Sequence, residues 1–254
     1  TAGAEPIGIL SSIILPPETE EQDLRRIMSE LEQACDELQI EILGGHTEVS
    51  DAVNRPVITV TGVGKVARGD LLSTGGMRPG DELVMTKWAG LEGSAIIAAE
   101  KRDVLEQTLP AHLIDTAESF LKHISVVPEA KIAMQHGVHA MHDVTEGGIF
   151  GALWEMGAAS GVGIVADLDK IPIRQETIEL CEVFDINPYL LISSGCMLIG
   201  CENGNLLVER LQDAGIPAAV IGRATEGNDR VIRSGEETRF LEPAGSDELY
   251  KIYE

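Results

Sequence analysis

The chain has 254 residues, 44% of them hydrophobic, enough for one large domain or two ordinary ones with a substantial core. Its 19 Lys+Arg stand against 42 Asp+Glu, a formal net charge of -23. A field of that sign repels nucleic-acid backbones and anionic membranes, which need basic surface to displace their counterions, so neither is an expected partner. An anionic small molecule stays open, provided that a metal ion or helix N-termini supply local positive charge.

The longest apolar runs, such as Ile7–Leu15 and Cys196–Cys201, are too short to span a bilayer, and no secretion signal opens the chain. Four cysteines without a Cys-x-x-Cys pair read as buried thiols of a reducing compartment, with the cytoplasm as the expected location.

In chain order, Ile7–Leu15 reads as a strand stopped by Pro16-Pro17. Thr19 then caps a helix with Gln22 at the capping-box position, and Leu24, Ile27, Met28, Leu31, Cys35 and Leu38 form its buried stripe. Ile40–Leu43 is a short strand running into the glycine turn Gly44–Glu48, and Pro56–Val66 is a further strand. The turn signals Gly75-Gly76 and Pro79-Gly80 place a domain boundary, giving domains at 1–76 and 77–254. Beyond it, Asp81–Lys87 is a strand, Gly93–Glu100 and Pro110–His123 are helical, and Pro128 and Gly137 bracket a short helix. Val138–Met141 is a strand leading into a second glycine turn, Asp143–Gly148, and Gly148–Ser160 is an apolar helix. Arg174–Phe184 and Asn205–Ala214 are helices, the latter closed by Gly215. Met197–Cys201, Ala218–Gly222 and the hairpin Arg230–Phe240 supply more strands.

The two glycine turns carry the candidate chemistry. Gly44 and Gly45 let the backbone approach a ligand and expose N–H donors, with His46 beside them. Thr47 offers a hydroxyl to a phosphate, and Glu48 a hard oxygen of the kind magnesium takes; an ordinary tight turn is the alternative. In the second turn Asp143 and Thr145 precede Gly147-Gly148, and the first-turn amides of the following helix would suit an anion; Asp143 or Thr145 acting as a simple helix cap is the alternative. Lys87, at a strand end, would neutralise a phosphate or else be a solvated lysine. His139 and His142 point to opposite faces of a strand, which argues against a zinc site.

Together, Ala2-Gly-Ala-Glu-Pro-Ile-Gly8, Gly44-Gly-His-Thr-Glu48, Arg78-Pro-Gly-Asp81, Met141-His-Asp-Val-Thr-Glu-Gly-Gly148 and Ile171-Pro-Ile-Arg174 give the chain a resemblance, over essentially its whole length, to the AIR synthase-related superfamily. That group includes aminoimidazole ribonucleotide, formylglycinamidine and selenophosphate synthetases, thiamine-monophosphate kinase and the hydrogenase-maturation carbamoyl dehydratase, the branch that the motifs match best. The resemblance implies an α+β / α/β fold: an N-terminal α+β domain whose sheet forms a dimer barrel, and a C-terminal three-layer α/β/α domain. It also implies Mg-ATP in a groove between the domains and phosphorylation of an amide- or carbamoyl-type oxygen. By that analogy Asp143 is catalytic, Gly44, Gly45, His46, Thr47, Lys87, Thr145, Gly147 and Gly148 contact the nucleotide, and Glu48 binds the metal. The implied partners are the nucleotide, a small-molecule or protein-borne substrate, and a second copy of the chain.

Two departures from the family pattern accompany the resemblance. The family's first strands, opening helix and Asn-Asp motif would precede Thr1, so the N-terminal domain is expected to be incomplete. The maturation branch carries its substrate on a C-terminal cysteine, whereas this chain ends Leu249-Tyr-Lys-Ile-Tyr-Glu254. The alternative expectation is a non-catalytic dimeric assembly or regulatory module that keeps the fold without a complete ATP site.

Overall fold

In the computed structural model, which describes residues 1–243 and 245–253, the chain forms two units, Gly3–Leu71 and the stretch from Leu72 onward together with Thr1–Ala2. The first contains β1 (Glu5–Leu15), α1 (Glu21–Leu38), β2 (Glu41–Val49) and β3 (Val57–Lys65). Its open sheet has the order β2-β1-β3, with β2 parallel and β3 antiparallel to β1. Alternate β1 residues Ile9, Ser11, Ile13 and Leu15 are buried. Ile13 and Leu15 pack with Ile27 of α1, flanked by Leu24, Met28 and Leu31, as the period-2 and period-3.6 patterns require.

Two local readings change. The N-cap of α1 is Glu20 rather than Thr19, because the Thr19 N–H closes a turn onto the Pro16 carbonyl. The Asp23 carboxylate accepts from the Glu20 N–H at 3.3 Å, so Asp23 rather than Gln22 holds the reciprocal position. The segment Gly44–Glu48 is not a turn: β2 runs through both glycines, with the register shifting so that Ile9 faces Ile42 and Leu10 faces Gly44.

The second unit contains β4 (Glu82–Thr86), α2 (Leu91–Glu100), α3 (Arg102–Leu105), α4 (Ala111–Glu118), α5 (Val127–His136), β5 (Ala140–Asp143), α6 (Gly148–Ser160), β6 (Gly163–Asp167), α7 (Gln175–Phe184), β7 (Met197–Cys201), α8 (Gly204–Asp213), β8 (Ala218–Thr225), β9 (Arg230–Ser234) and β10 (Glu237–Phe240), then a 3-10 segment at Glu248–Tyr253. The strands form one seven-stranded sheet, β10-β9-β6-β8-β4-β7-β5, antiparallel except for the β6–β9 pair.

Both faces of that sheet carry a core, which makes the unit a three-layer sandwich. Leu83, Met85 and Leu198 join the core built with α2, α6 and α7. Val84, Met197, Ile199 and Cys201 point the other way and pack with Ala133 of α5 and Leu207 and Leu211 of α8. Strand β6 is not anticipated by the sequence reading. Its five residues lie between the left-handed Gly161 that ends α6 and the turn at Leu168, and pairing with β8 and β9 on either side sets its place.

Candidate functional site

Strand β5 delivers Asp143 to the end of the sheet, opposite Met197. The Asp143 side chain is 48% exposed, and its Oδ1 lies 4.0 Å from His142 Nδ1. Helix α6 starts with no side-chain capping bond, so neither Asp143 nor Thr145 acts as its cap. Thr145 is exposed on the same turn. His142, by contrast, is held in place: its Nε2 lies 2.9 Å from Glu155 Oε2, and its Nδ1 lies 3.4 Å from Thr74 Oγ1. Asp143 is therefore a solvent-facing acceptor on a rigid strand end, with a fixed imidazole beside it.

The glycines that follow have a different task from the one expected. The Gly147 N–H donates to Asp247 Oδ2 at 2.7 Å, and the Gly148 N–H donates to the Thr145 carbonyl at 3.0 Å. Asp247, buried at 3% exposure, also accepts from the Ile192 and Leu249 N–H groups. A carboxylate of the chain itself thus occupies the anion-favouring start of α6. Gly148 has φ +58°, and a Cβ there would sit 2.6 Å from the Tyr189 carbonyl oxygen, so the close approach of the 189–191 backbone explains this glycine. Asp247 gives no sequence signal, because its partner Gly147 lies 100 residues away.

Lys87 is neither of the two things the sequence offered. Its side chain is 7% exposed and its ammonium pairs with the equally buried Glu129. It also donates to the carbonyls of Ser125 at 2.8 Å and Gly195 at 2.7 Å. Two of the three ammonium donors go to these carbonyls and Glu129 balances the charge, so buried Lys87 is committed inside the fold rather than presented to a phosphate.

In the other unit, pairing of β2 with β1 sets which way the polar side chains face. His46 and Glu48 pair with Ser12 and Ile14 on one face, whereas Gly45 and Thr47 pair with Ser11 and Ile13 on the face that α1 covers. His46 Nε2 and Glu48 Oε2 lie 3.4 Å apart, both exposed. Thr47 therefore does not converge with them. Gly45 has φ +156°, and a Cβ on it would fall 1.9 Å from the Ser11 carbonyl oxygen, so the sheet itself demands glycine there. Gly44, with φ +152°, would meet only Leu10 Cδ2 at 3.8 Å, which leaves its outer side open.

Among the described residues no group of three or more His, Cys, Asp or Glu side chains is arranged to hold a metal ion. Magnesium keeps most of its water and binds through one or two carboxylates plus phosphate oxygens, so an exposed carboxylate such as Asp143 or Glu48 fits that kind of ligand set. The four cysteines are free and buried. Burial pushes the Cys181 and Cys196 thiols up to about 12 and Cys201 to about 11. No helix of the described residues is long and apolar enough to cross a membrane.

Comparison with known proteins now bears on this geometry. The model for the AIR synthase related protein N-terminal domain matches residues 1–66, and that for the C-terminal domain matches residues 78–234. The chain belongs to the AIR synthase related family. Within that family, carbamoyl dehydratase HypE of Rhodobacter capsulatus is 28% identical over 237 residues, which are 91% of this chain and 67% of that protein. HypE of Cupriavidus necator is 33% identical over 208 residues, 79% of this chain and 55% of that protein. The chain thus spans between 55% and 67% of the length of these two curated relatives. The solved structure of hydrogenase maturation protein HypE in complex with ATP shares the fold: TM-score 0.80 at 19% identity, covering 98% of this chain and 76% of that one.

Proposed function

We propose that this chain is part of an ATP-dependent enzyme that activates an amide- or carbamoyl-type oxygen by phosphorylation, in the manner of the carbamoyl dehydratases it resembles. The observation that carries this reading is Asp143: a half-exposed carboxylate at a strand end, on the motif that resembles the family's, engaged neither as a cap nor in a hydrogen bond among the described residues. The relatives' name supports the carbamoyl group, and the ATP complex of a structural neighbour supports the choice of nucleotide.

The chemistry needs the substrate oxygen to attack the γ-phosphorus as the bond to ADP breaks. Loss of phosphate with the amide protons then leaves a carbon–nitrogen triple bond. Asp143 is suited to accept a proton or to hold a magnesium ion, and the Thr145 hydroxyl to bond a phosphate oxygen. Glu48 is proposed as a magnesium ligand, with His46 beside it and the open side of Gly44 admitting the nucleotide. Magnesium, when bound, would neutralise phosphate charge. Gly45, Gly147, Gly148 and Lys87 keep structural roles in this proposal, and Thr47 stands apart on the α1 face. The four cysteines of the described residues are buried, so none of them is placed to carry the substrate in this proposal.

The exposed apolar residues Leu10 and Val57, on the face of the three-stranded sheet away from α1, support pairing with a second copy of the chain, as a monomer rarely leaves an apolar sheet face uncovered. The test of function is calorimetric titration of ATP into the full protein with and without magnesium, followed by phosphate release in the presence of an S-carbamoyl thiol. Magnesium-dependent binding with substrate-stimulated release is expected. Absence of ATP binding in the full protein would overturn the reading in favour of a non-catalytic module.

A further inference from the structure

At the far end of the seven-stranded sheet from Asp143 lies a second concavity that the proposed chemistry does not use. The register fixes the separation: Asp143 pairs with Met197 at the start of β7, whereas Glu82 pairs with Cys201 at its end and with Arg223 across β8. The cavity has a volume of about 620 Å³, and its floor is formed by Val165, Val220 and Gly222, within the range of small-molecule sites. It opens on the face of the sheet that carries α5 and α8, beside α8, which packs on β4 and β8, and toward β6 and β9. There Ala166 and Ile232 belong to the opposite core, so their neighbours Val165, Asp167 and Arg233 face outward.

Its polar lining is organised. Arg223 of β8 and Arg233 of β9 stand on either side of β6, paired with Val165 and Asp167 respectively. Two strand spacings, about 10 Å, separate their backbones across the sheet, so both guanidinium groups can reach one ligand between them. Lys170 completes the cationic side, but Asp167 already pairs with it at 2.7 Å. On the other side Glu82 accepts the Gly204 N–H at 2.7 Å, and Glu202 lines the wall.

Arg223 and Arg233 have no ion pair or hydrogen bond with the protein among the described residues. In a chain of net charge -23, carboxylates are abundant, and two unpaired guanidinium groups converging on one cavity are positioned for an anion from outside.

We propose that this cavity binds a small molecule carrying a phosphate or carboxylate group, held by Arg223 and Arg233, with hydroxyl or amino groups directed to Glu202. Arginine forks match the planar pair of oxygens that both anions present. The site is separate from the nucleotide chemistry proposed above and does not depend on it.

The experiment is calorimetric titration of the full protein with pyrophosphate and, separately, with citrate, which distinguishes phosphate from carboxylate recognition. The parent, the double variant Arg223→Gln/Arg233→Gln and Asp143→Asn are compared. Both arginines are exposed, so the double variant is expected to fold, and its circular dichroism confirms that before titration. The proposal expects saturable binding of at least one probe, weakened tenfold or more in the arginine variant and unchanged in Asp143→Asn. Failure of both probes to saturate at millimolar concentration would overturn it. So would unchanged affinity in the arginine variant, or binding lost in Asp143→Asn alone.

Discussion

The Asp247 carboxylate accepts the Gly147 N–H at 2.7 Å, joining the C-terminal segment to the first residue before α6. The same carboxylate accepts the N–H groups of Ile192 at 3.2 Å and Leu249 at 2.9 Å, so one buried charge ties three segments together. Replacing it by alanine orphans buried donors and removes charge-assisted bonds. Asp247→Ala is expected to lower unfolding stability by about 2–3 kcal/mol, read from the urea midpoint. A change below about 0.5 kcal/mol would show that the tail contributes nothing to holding α6.

The buried pair of Lys87 and Glu129 makes a sharper prediction through a double-mutant cycle. Lys87→Met alone leaves Glu129 charged or protonated in an apolar setting and is expected to cost about 3–5 kcal/mol. Adding Glu129→Leu removes the stranded carboxylate and should recover most of that loss. If the two changes simply add, the pair is not coupled and Lys87 is free for another role.

The two glycines of β2 should differ although they are adjacent. Gly45→Ala drives a Cβ into the Ser11 carbonyl and is expected to cost at least about 2 kcal/mol. Gly44→Ala meets open space and pays only for its backbone angle, about 1–2 kcal/mol. Guanidinium unfolding of both variants gives the comparison. Equal effects would contradict the strand register.

The thiols set a pH dependence. Burial raises the Cys181 and Cys196 thiols from the ordinary thiol range to about 12. Above pH 9 the unfolded chain loses these protons while the folded chain keeps them, so the folded state binds more protons. Stability therefore falls as pH rises from about 9 toward 12. Native protein at pH 8 should resist iodoacetamide at these positions, and unfolded protein should react quickly. Rapid native alkylation mapped to Cys181 or Cys196 by peptide mass spectrometry would contradict their burial.

Much of this architecture could be read from local pattern. The alternation of Ile9, Ile13 and Leu15, the stripe on α1 and the Asp143-to-Gly148 stretch between a strand and an apolar helix all appear where the periodicity puts them, because each is decided by residues close in sequence. What escaped was decided by distant partners. Lys87 read as a phosphate contact or a solvated lysine because nothing beside it announces Glu129. The β2 glycines looked like a turn because their close neighbour, Ser11, lies on another strand. The amides of α6 looked open because Asp247 reaches them from the other end of the unit. Motif residues were found, but which of their donors and acceptors stay free is a tertiary property.

The most direct test of the functional account is Asp143→Asn in the full protein, with ATP turnover and unfolding stability measured on the same preparation. The side chain makes no hydrogen bond among the described residues, so stability should change by less than about 0.5 kcal/mol. Removing its charge should lower turnover by about 100-fold or more. Full turnover with asparagine in place would contradict the assignment of Asp143 to the reaction, as would a loss of activity matched by a loss of fold.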